Sequence, residues 1–154
     1  LDIEDIESKT YMQDRFVIIT SEEHNLAYKS ELSMSEVMNY DIIGFPEYSS
    51  AYAFISNVVG EKEFANNVRV SVDNYDTLFR MIENNVGVGV ISECTARRYA
   101  RNAPVKIIPL NDPASLRNFN VCAKNFESLH YAGKAFLDIL FEEAQPAAAH
   151  QDAS

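Results

Sequence analysis

The stretch Met81 to Glu93 reads MIENNVGVGVISE, with Gly87 and Gly89 alternating with valines. Closely spaced glycines can let a backbone cradle phosphate. The dinucleotide fingerprint Gly-x-Gly-x-x-Gly must lie between a strand and the helix it opens. Here the third glycine position is Ser92, and the pair follows a helical pattern and sits inside a strand pattern, so no nucleotide site is expected. No Gly-Lys-Ser/Thr run is present. His24, His130 and His150 have no Cys or His at ligand spacing, and no metal is expected. A Gly-x-Ser-x-Gly nucleophile elbow is missing. Glu47 and Asp73 are the only loop carboxylates that an enzyme reading could use, and they form no recognisable acid–base pair. The expectation is a chain with no catalytic residues and no cofactor. Cys94 and Cys122 have no redox or metal spacing and lie in apolar surroundings, which predicts buried free thiols.

Another set of polar residues sits where strands should end and helices begin: Thr20 and Ser21, Ser49 and Ser50, Asp73 and Asn74, and Ser92. In open α/β sheets ligands collect outside the carboxyl ends of the strands. Helix N-termini there present free N–H groups suited to anions. Singly, each such residue reads as a helix cap; together they suggest a small-molecule cleft.

The elements that must carry these residues follow from periodicity. RFVIIT (15–20), DIIGF (41–45), NVRVSV (67–72), VGVGVIS (86–92), VKIIPL (105–110) and NFNVCA (118–123) read as strands. Ser33 with Glu36 has capping-box spacing before a short helix. Ser49 or Ser50 caps a helix to about Val59, which Gly60 ends as a left-handed residue would. Asp73 or Asn74 caps a helix with Leu78, Met81 and Ile82 on one face. ECTARRYAR forms a short helix whose Arg97, Arg98 and Arg101 suit the negative end of its dipole. Ser128 caps a last helix with Tyr131, Ala132, Ala135, Phe136, Ile139 and Leu140 as its apolar stripe. From Gln145 the tail QPAAAHQDAS has no pattern and is expected to be disordered. This alternation predicts an α/β fold with a largely parallel sheet. Within 86–90, the valines should face one way under a helix, with the glycines on an open face leading to Ile91 and Ser92.

Bulk properties agree with a folded ligand-binding unit. The chain has 154 residues, 47% of them hydrophobic, with nine Phe and eight Tyr, enough to bury a core. A net charge of −10 argues against nucleic-acid binding by this chain, since phosphate contacts need clustered Lys and Arg. No stretch approaches the roughly 20 apolar residues of a membrane span, and nothing at the N-terminus reads as a signal peptide. The expected location is cytoplasmic. Because the first residue is Leu1, the chain reads as a fragment of a longer protein.

The order of three stretches resembles a known family. FVIITSEEHNLAYKSELSMSEVMNYDIIGF is similar to the strand, turn, short helix and second strand of LysR-type transcriptional regulators. DNYDTLFRMIENNVGVGVISE resembles that family's helix and Gly-rich strand, and VKIIPLNDP with AGKAFLDIL resembles its closing segment. Asn25 and Ser92 stand where the family commonly has Pro. The resemblance implies a type II periplasmic-binding-protein-like α/β effector domain of two lobes with the effector between them. On it, residues 16–102 form one complete lobe, and 1–15 with 103–144 a partial first lobe lacking its opening strand–helix–strand. The family's effector contacts fall at Thr20 and Ser21, at Gly44 to Ser50 (Gly44, Phe45, Ser49 and Ser50 among them), at Asp73 and Asn74, and at Ile91 and Ser92. The implied partner is a small effector, one with a carboxylate held by Ser49 and Ser50. DNA would be bound only through a helix-turn-helix domain that this chain lacks. An incomplete lobe should leave apolar sheet exposed and favour homo-oligomers. The competing readings are a transporter's solute-binding protein of the same fold and a small α/β enzyme.

Overall fold

The apolar run at 15–20 is the second half of a far longer strand. β1 spans Glu7–Ser21, and its character changes along its length: the first half is mostly exposed, whereas Phe16 to Ser21 are all buried. The computed structural model describes residues 6–148. They divide into two units. The larger is Asp14–Arg117; the described residues up to Gln13 and from Asn118 onward form the smaller. The expected division at 15/16 and 102/103 therefore shifts. β5 (Val105–Pro109) is the reason: it pairs with β1 through Val17↔Pro109 to Ser21↔Val105, so the chain stays in the larger unit until Arg117.

In the larger unit the chain continues from β1 through a 3-10 turn at Asn25–Tyr28 to α1 (Met34–Val37), β2 (Ile42–Gly44), α2 (Ser50–Val59), α3 (Glu61–Asn67) and β3 (Val68–Ser71). Next come α4 (Tyr75–Glu83), β4 (Val88–Ser92), α5 (Glu93–Tyr99) and β5. The helices begin where the side chains can satisfy orphan amides. Ser33 and Glu36 form the expected capping box. Ser49, Asn74 and Ser92 cap α2, α4 and α5 by accepting from Tyr52 N, Thr77 N and Thr95 N. Gly60 ends α2 with φ 93°, but its ψ of 139° is extended rather than left-handed helical, and α3 starts at once. That helix is short and carries little apolar periodicity beyond Phe64, which explains its absence from the pattern reading.

The sheet order is β3-β2-β4-β1-β5. β2 runs parallel to β3 and β4, as the βα alternation requires. β1 runs antiparallel to both β4 and β5, so the sheet is mixed rather than largely parallel. Alternation along β1 sends Phe16 and Ile18 to one face and Val17 and Ile19 to the other. The first pair joins Ile42, Val88, Val90 and Ile108 beneath Met34, Val37, Phe54, Ile55 and Phe64 of α1–α3. The second joins Ile43, Ile91 and Val105 beneath Leu78, Phe79, Ile82 and Ala96 of α4 and α5. Two cores thus sandwich one sheet.

This packing corrects the reading of the Gly-rich strand. Val88 and Val90 do face the first core. Val86 instead packs against the second core, because Asn85 turns the chain with φ 56° and β4 starts only at Val88. The Gly89 face is not open. A Cβ there would come within 2.9 Å of Ile82 Cδ1 and 3.0 Å of Ile19 Cγ1. Gly87 lies against the backbone of Asp41, whose carbonyl oxygen would be 2.5 Å from an added Cβ and accepts from Val88 N.

In the smaller unit, β6 (Leu116–Ala123) pairs with β1. Thr10 Oγ1 donates to Asn120 Oδ1 at 2.7 Å and Gln13 Nε2 to Asn118 Oδ1 at 3.0 Å, an antiparallel order. Glu7 accepts from Phe126 N, and Lys9 lies over the buried Phe126 ring. The last helix, α6, spans Tyr131–Ala148. The His130 carbonyl accepts from Gly133 and Lys134 N, whereas Ser128 bonds back to Asn125 and does not cap. Of its expected stripe, Tyr131, Phe136 and Ile139 are exposed. The helix takes in Gln145 to Ala148, where a disordered tail was expected; residues 149–154 lie outside the described residues. Cys94 and Cys122 are both free and exposed, not buried: each occupies an outward position of an element whose other face packs. Among the described residues no helix is long and apolar enough to cross a membrane.

Candidate functional site

Strand direction decides which expected residues meet. β2, β3 and β4 are parallel neighbours, so their carboxyl ends lie on one edge of the sheet. Gly44 and Phe45 lie there, with Ser49 and Ser50 at the start of α2, Asp73 and Asn74 at the start of α4, and Ile91 and Ser92 leading into α5. Thr20 and Ser21 are not with them. β1 is antiparallel to β4 with Phe16 opposite Ser92 and Ile19 opposite Gly89, which carries its carboxyl end to the opposite edge. There Thr20 Oγ1 is buried without a hydrogen-bond partner, and Ser21 Oγ accepts from Glu23 N.

The same reversal brings in residues that the pattern reading did not select. The amino half of β1 within the larger unit delivers Asp14, Arg15 and Phe16 to the carboxyl edge, and Arg117 joins them. Arg117 Nη2 donates to Asp14 Oδ2 at 2.8 Å, and Nη1 to Ser50 Oγ at 3.3 Å. Its guanidinium lies 4.3 Å from the centre of the Phe16 ring, which in turn stacks on Phe54 of α2 at 4.6 Å. Asp14 Oδ1 accepts from Cys94 N at 3.3 Å. Beside this group, Glu93 accepts from Arg15 Nε at 2.6 Å and from Arg97 Nε at 3.0 Å. Burial pushes the Glu93 carboxyl up, and the hydrogen bonds and charges of Arg15 and Arg97 outweigh it, so its pKa lies below the ordinary value. Arg15, Arg97 and Arg117 thus pair with Asp14 and Glu93 at this edge.

The expected residues take distinct parts. Ser49 and Ser92 spend their hydroxyls on caps, Ser92 also donating to Thr95 Oγ1. Asn74, not Asp73, caps α4. Asp73 is exposed and accepts from Asn74 Nδ2, so its carboxylate stays at the surface. Gly44 and Ile91 are buried beneath the edge; Gly44 has Val68 and Phe64 where a side chain would go. Phe45 meets Tyr75 edge-on at 5.1 Å, and Tyr75 leads on to Tyr99 and Phe79. Of the edge serines Ser49, Ser50 and Ser92, Ser50 is the one whose hydroxyl does not cap a helix and instead meets Arg117 Nη1. A charged Asp14–Arg15 directly before an apolar run, and Arg117 directly before another, were the available signals. Only strand direction could give them meaning. Among the described residues no three His, Cys, Asp or Glu side chains group as metal ligands would.

This arrangement can do recognition chemistry: an anion at the α2 N-terminus would meet free N–H groups and a guanidinium. The sequence matches the family model for the LysR substrate binding domain over residues 1–145. It is 23% identical over 135 residues to the malolactic fermentation system transcriptional activator of Lactococcus lactis subsp. lactis (strain IL1403), covering 88% of this chain and 46% of that protein. The chain thus spans about half the length of the curated relatives it matches. The fold is similar to the Synechocystis PCC6803 CcmR regulatory domain in complex with 2-PG, with TM-score 0.72, 19% identity, and 91% of this chain and 67% of that one covered. It is likewise similar to the effector binding domain of QuiR in complex with shikimate, with TM-score 0.68, 18% identity, and 94% and 68% covered.

Proposed function

Because this chain belongs to the LysR substrate binding domain family, we propose that it senses a small carboxylate-bearing effector for a transcriptional regulator, at the carboxyl edge of its larger unit. The observation that carries this reading is Arg117, held over Phe16 and against Ser50 at the first turn of α2. The guanidinium and the helix N-terminus both favour negative charge, and Asp14 fixes the guanidinium in place. Asp73, free of capping duty, suits an effector that also carries a donor or a positive charge. The contacts assigned are Phe45, Ser49, Ser50, Asp73, Asn74 and Ser92, with Arg117 added. Gly44 and Ile91 shape the edge from below, and Thr20 and Ser21 are withdrawn from the set.

The chain acts as a sensor rather than an enzyme, in the cytoplasm, and DNA is bound by another part of the regulator. Effector binding biases the conformations available to that part. A second copy covers the exposed Tyr131, Phe136 and Ile139 of α6; a strictly monomeric light-scattering mass at high concentration would refute this.

The test is a thermal-shift screen of small carboxylates, shikimate among them, followed by calorimetric titration of any stabilising compound into the native chain, Ser50→Ala and Arg117→Lys. The expected result is weaker binding in both variants. A carboxylate that binds all three proteins equally would sink the assignment of Arg117 and Ser50.

A further inference from the structure

The opposite edge of the sheet, where β2 and β4 begin, carries a cavity of about 530 Å³, within the ordinary range of small-molecule sites. It lies a full strand away from Ser50 and Ser92, and its lining comes entirely from the larger unit. Carboxamides dominate that lining: Asn25, Asn39, Asn66, Asn67 and Asn85, with His24, Tyr40 and the Arg69–Asp41 ion pair.

The local structure holds several of these groups ready. Asn39 Nδ2 donates to the carbonyls of Ser35 and Glu36 at 3.2 and 3.1 Å, and Asn67 Nδ2 donates to Met38 O at 2.6 Å. Each anchored amide keeps its Oδ1 as an acceptor in a fixed place. His24 Nδ1 accepts from Leu26 N at 3.2 Å, so the ring is neutral there and Nε2 is the remaining donor. Burial lowers the His24 pKa as well. Asn85 reaches the cavity from a positive-φ turn, a conformation that Asn tolerates better than most residues. Arg69 and Asp41 neutralise one another, and Glu23, also in the lining, opposes any anion.

We propose that this cavity is a second ligand site, independent of the carboxylate reading above, that takes a neutral polyhydroxylated ring such as a monosaccharide or cyclic polyol. Amides present a donor and an acceptor side by side, which matches vicinal hydroxyls. Tyr40 supplies aromatic surface for the apolar face of a ring. Charge balance disfavours phosphates and carboxylates.

The experiment is an NMR titration of the nitrogen-15-labelled chain with D-glucose and with myo-inositol, read at the side-chain amides of Asn25, Asn66 and Asn85. Saturable shifts are expected with at least one of the two. Asn25→Ala/Asn66→Ala, at exposed positions, should weaken binding by about tenfold or more with the melting temperature unchanged. Asn85→Gly, which keeps the positive φ, should do likewise. Shifts that only drift linearly with both compounds would overturn the proposal, as would unchanged affinity in both variants. Saturable shifts with glycine or inorganic phosphate, and none with the polyols, would assign the cavity to charged ligands and overturn it too.

Discussion

Gly89 lets the packing of the second core be tested against a number. A methyl group there would lie 2.9 Å from Ile82 Cδ1 and 3.0 Å from Ile19 Cγ1, and both isoleucines are fully buried. Burying one more carbon gains about 0.8 kcal/mol, and replacing glycine inside a strand gains roughly 0.5–1 kcal/mol. Overpacking a dense core costs about 1–3 kcal/mol. Two contacts this short on two fully buried neighbours put the cost at the upper end, so Gly89→Ala should destabilise by about 1 kcal/mol. Gly89→Val, with two further carbons in the same space, should lose more. The diagnostic variant is the double one. Ile82→Val removes the carbon that the new methyl meets, at its own cost of about 0.5–1.5 kcal/mol. If the steric account is right, Gly89→Ala/Ile82→Val is more stable than the sum of the single effects predicts, by at least roughly 0.5 kcal/mol. Urea unfolding followed by circular dichroism measures all four proteins, with unchanged slopes as the control. An additive double variant, or a Gly89→Ala protein more stable than the parent, would refute the steric reasoning.

Three further outcomes follow from the chemistry of single groups. Glu93 has a folded-state pKa below its unfolded value, so its stabilisation is present above the ordinary carboxylate pKa and is lost as pH falls through the lower, folded value. The melting-temperature gap between the parent and Glu93→Gln should be wide at neutral pH and close in acid; a gap that stays constant with pH contradicts the Arg15–Glu93–Arg97 account. His24 has its pKa lowered by burial, and the folded state resists taking up a proton. Stability should therefore drop as pH falls below about 6.5, a drop that His24→Asn lacks if His24 is its source. Cys94 and Cys122 are exposed, so two thiols should react with Ellman's reagent in the native chain, and a reaction that needs denaturant would place them inside.

What the sequence made legible was local. Hydroxyl and amide caps at Ser33, Ser49, Asn74 and Ser92 act within three residues, and each could be read from its neighbours. The α/β class follows from strand and helix patterns of the same range. Orientation could not be read this way. Nothing in RFVIIT says that it lies antiparallel between VGVGVIS and VKIIPL, and that fact moves Thr20 and Ser21 off the candidate edge and brings in Asp14, Arg15 and Arg117. The glycine face misled for a related reason: a bare strand face looks open until the helix that covers it is known, and α4 covers Gly89 with Ile82. Both thiols were expected inside, but a thiol's exposure depends on which side of its element meets the core.

The reversed central strand also governs the order in which the chain can fold. β2 needs partners only as far away as Val68 and Val88, whereas Phe16 waits for Ser92 and Val17 for Pro109. Closing a longer loop costs more entropy, by about 0.6 kcal/mol per doubling, and such non-local pairings slow folding. β2, β3 and β4 with their helices can assemble first, and β1 then adds to β4 and seats β5 on its other side. During synthesis the run Phe16-Val-Ile-Ile19 lacks its full set of partners until about 90 further residues, as far as Pro109, have been made.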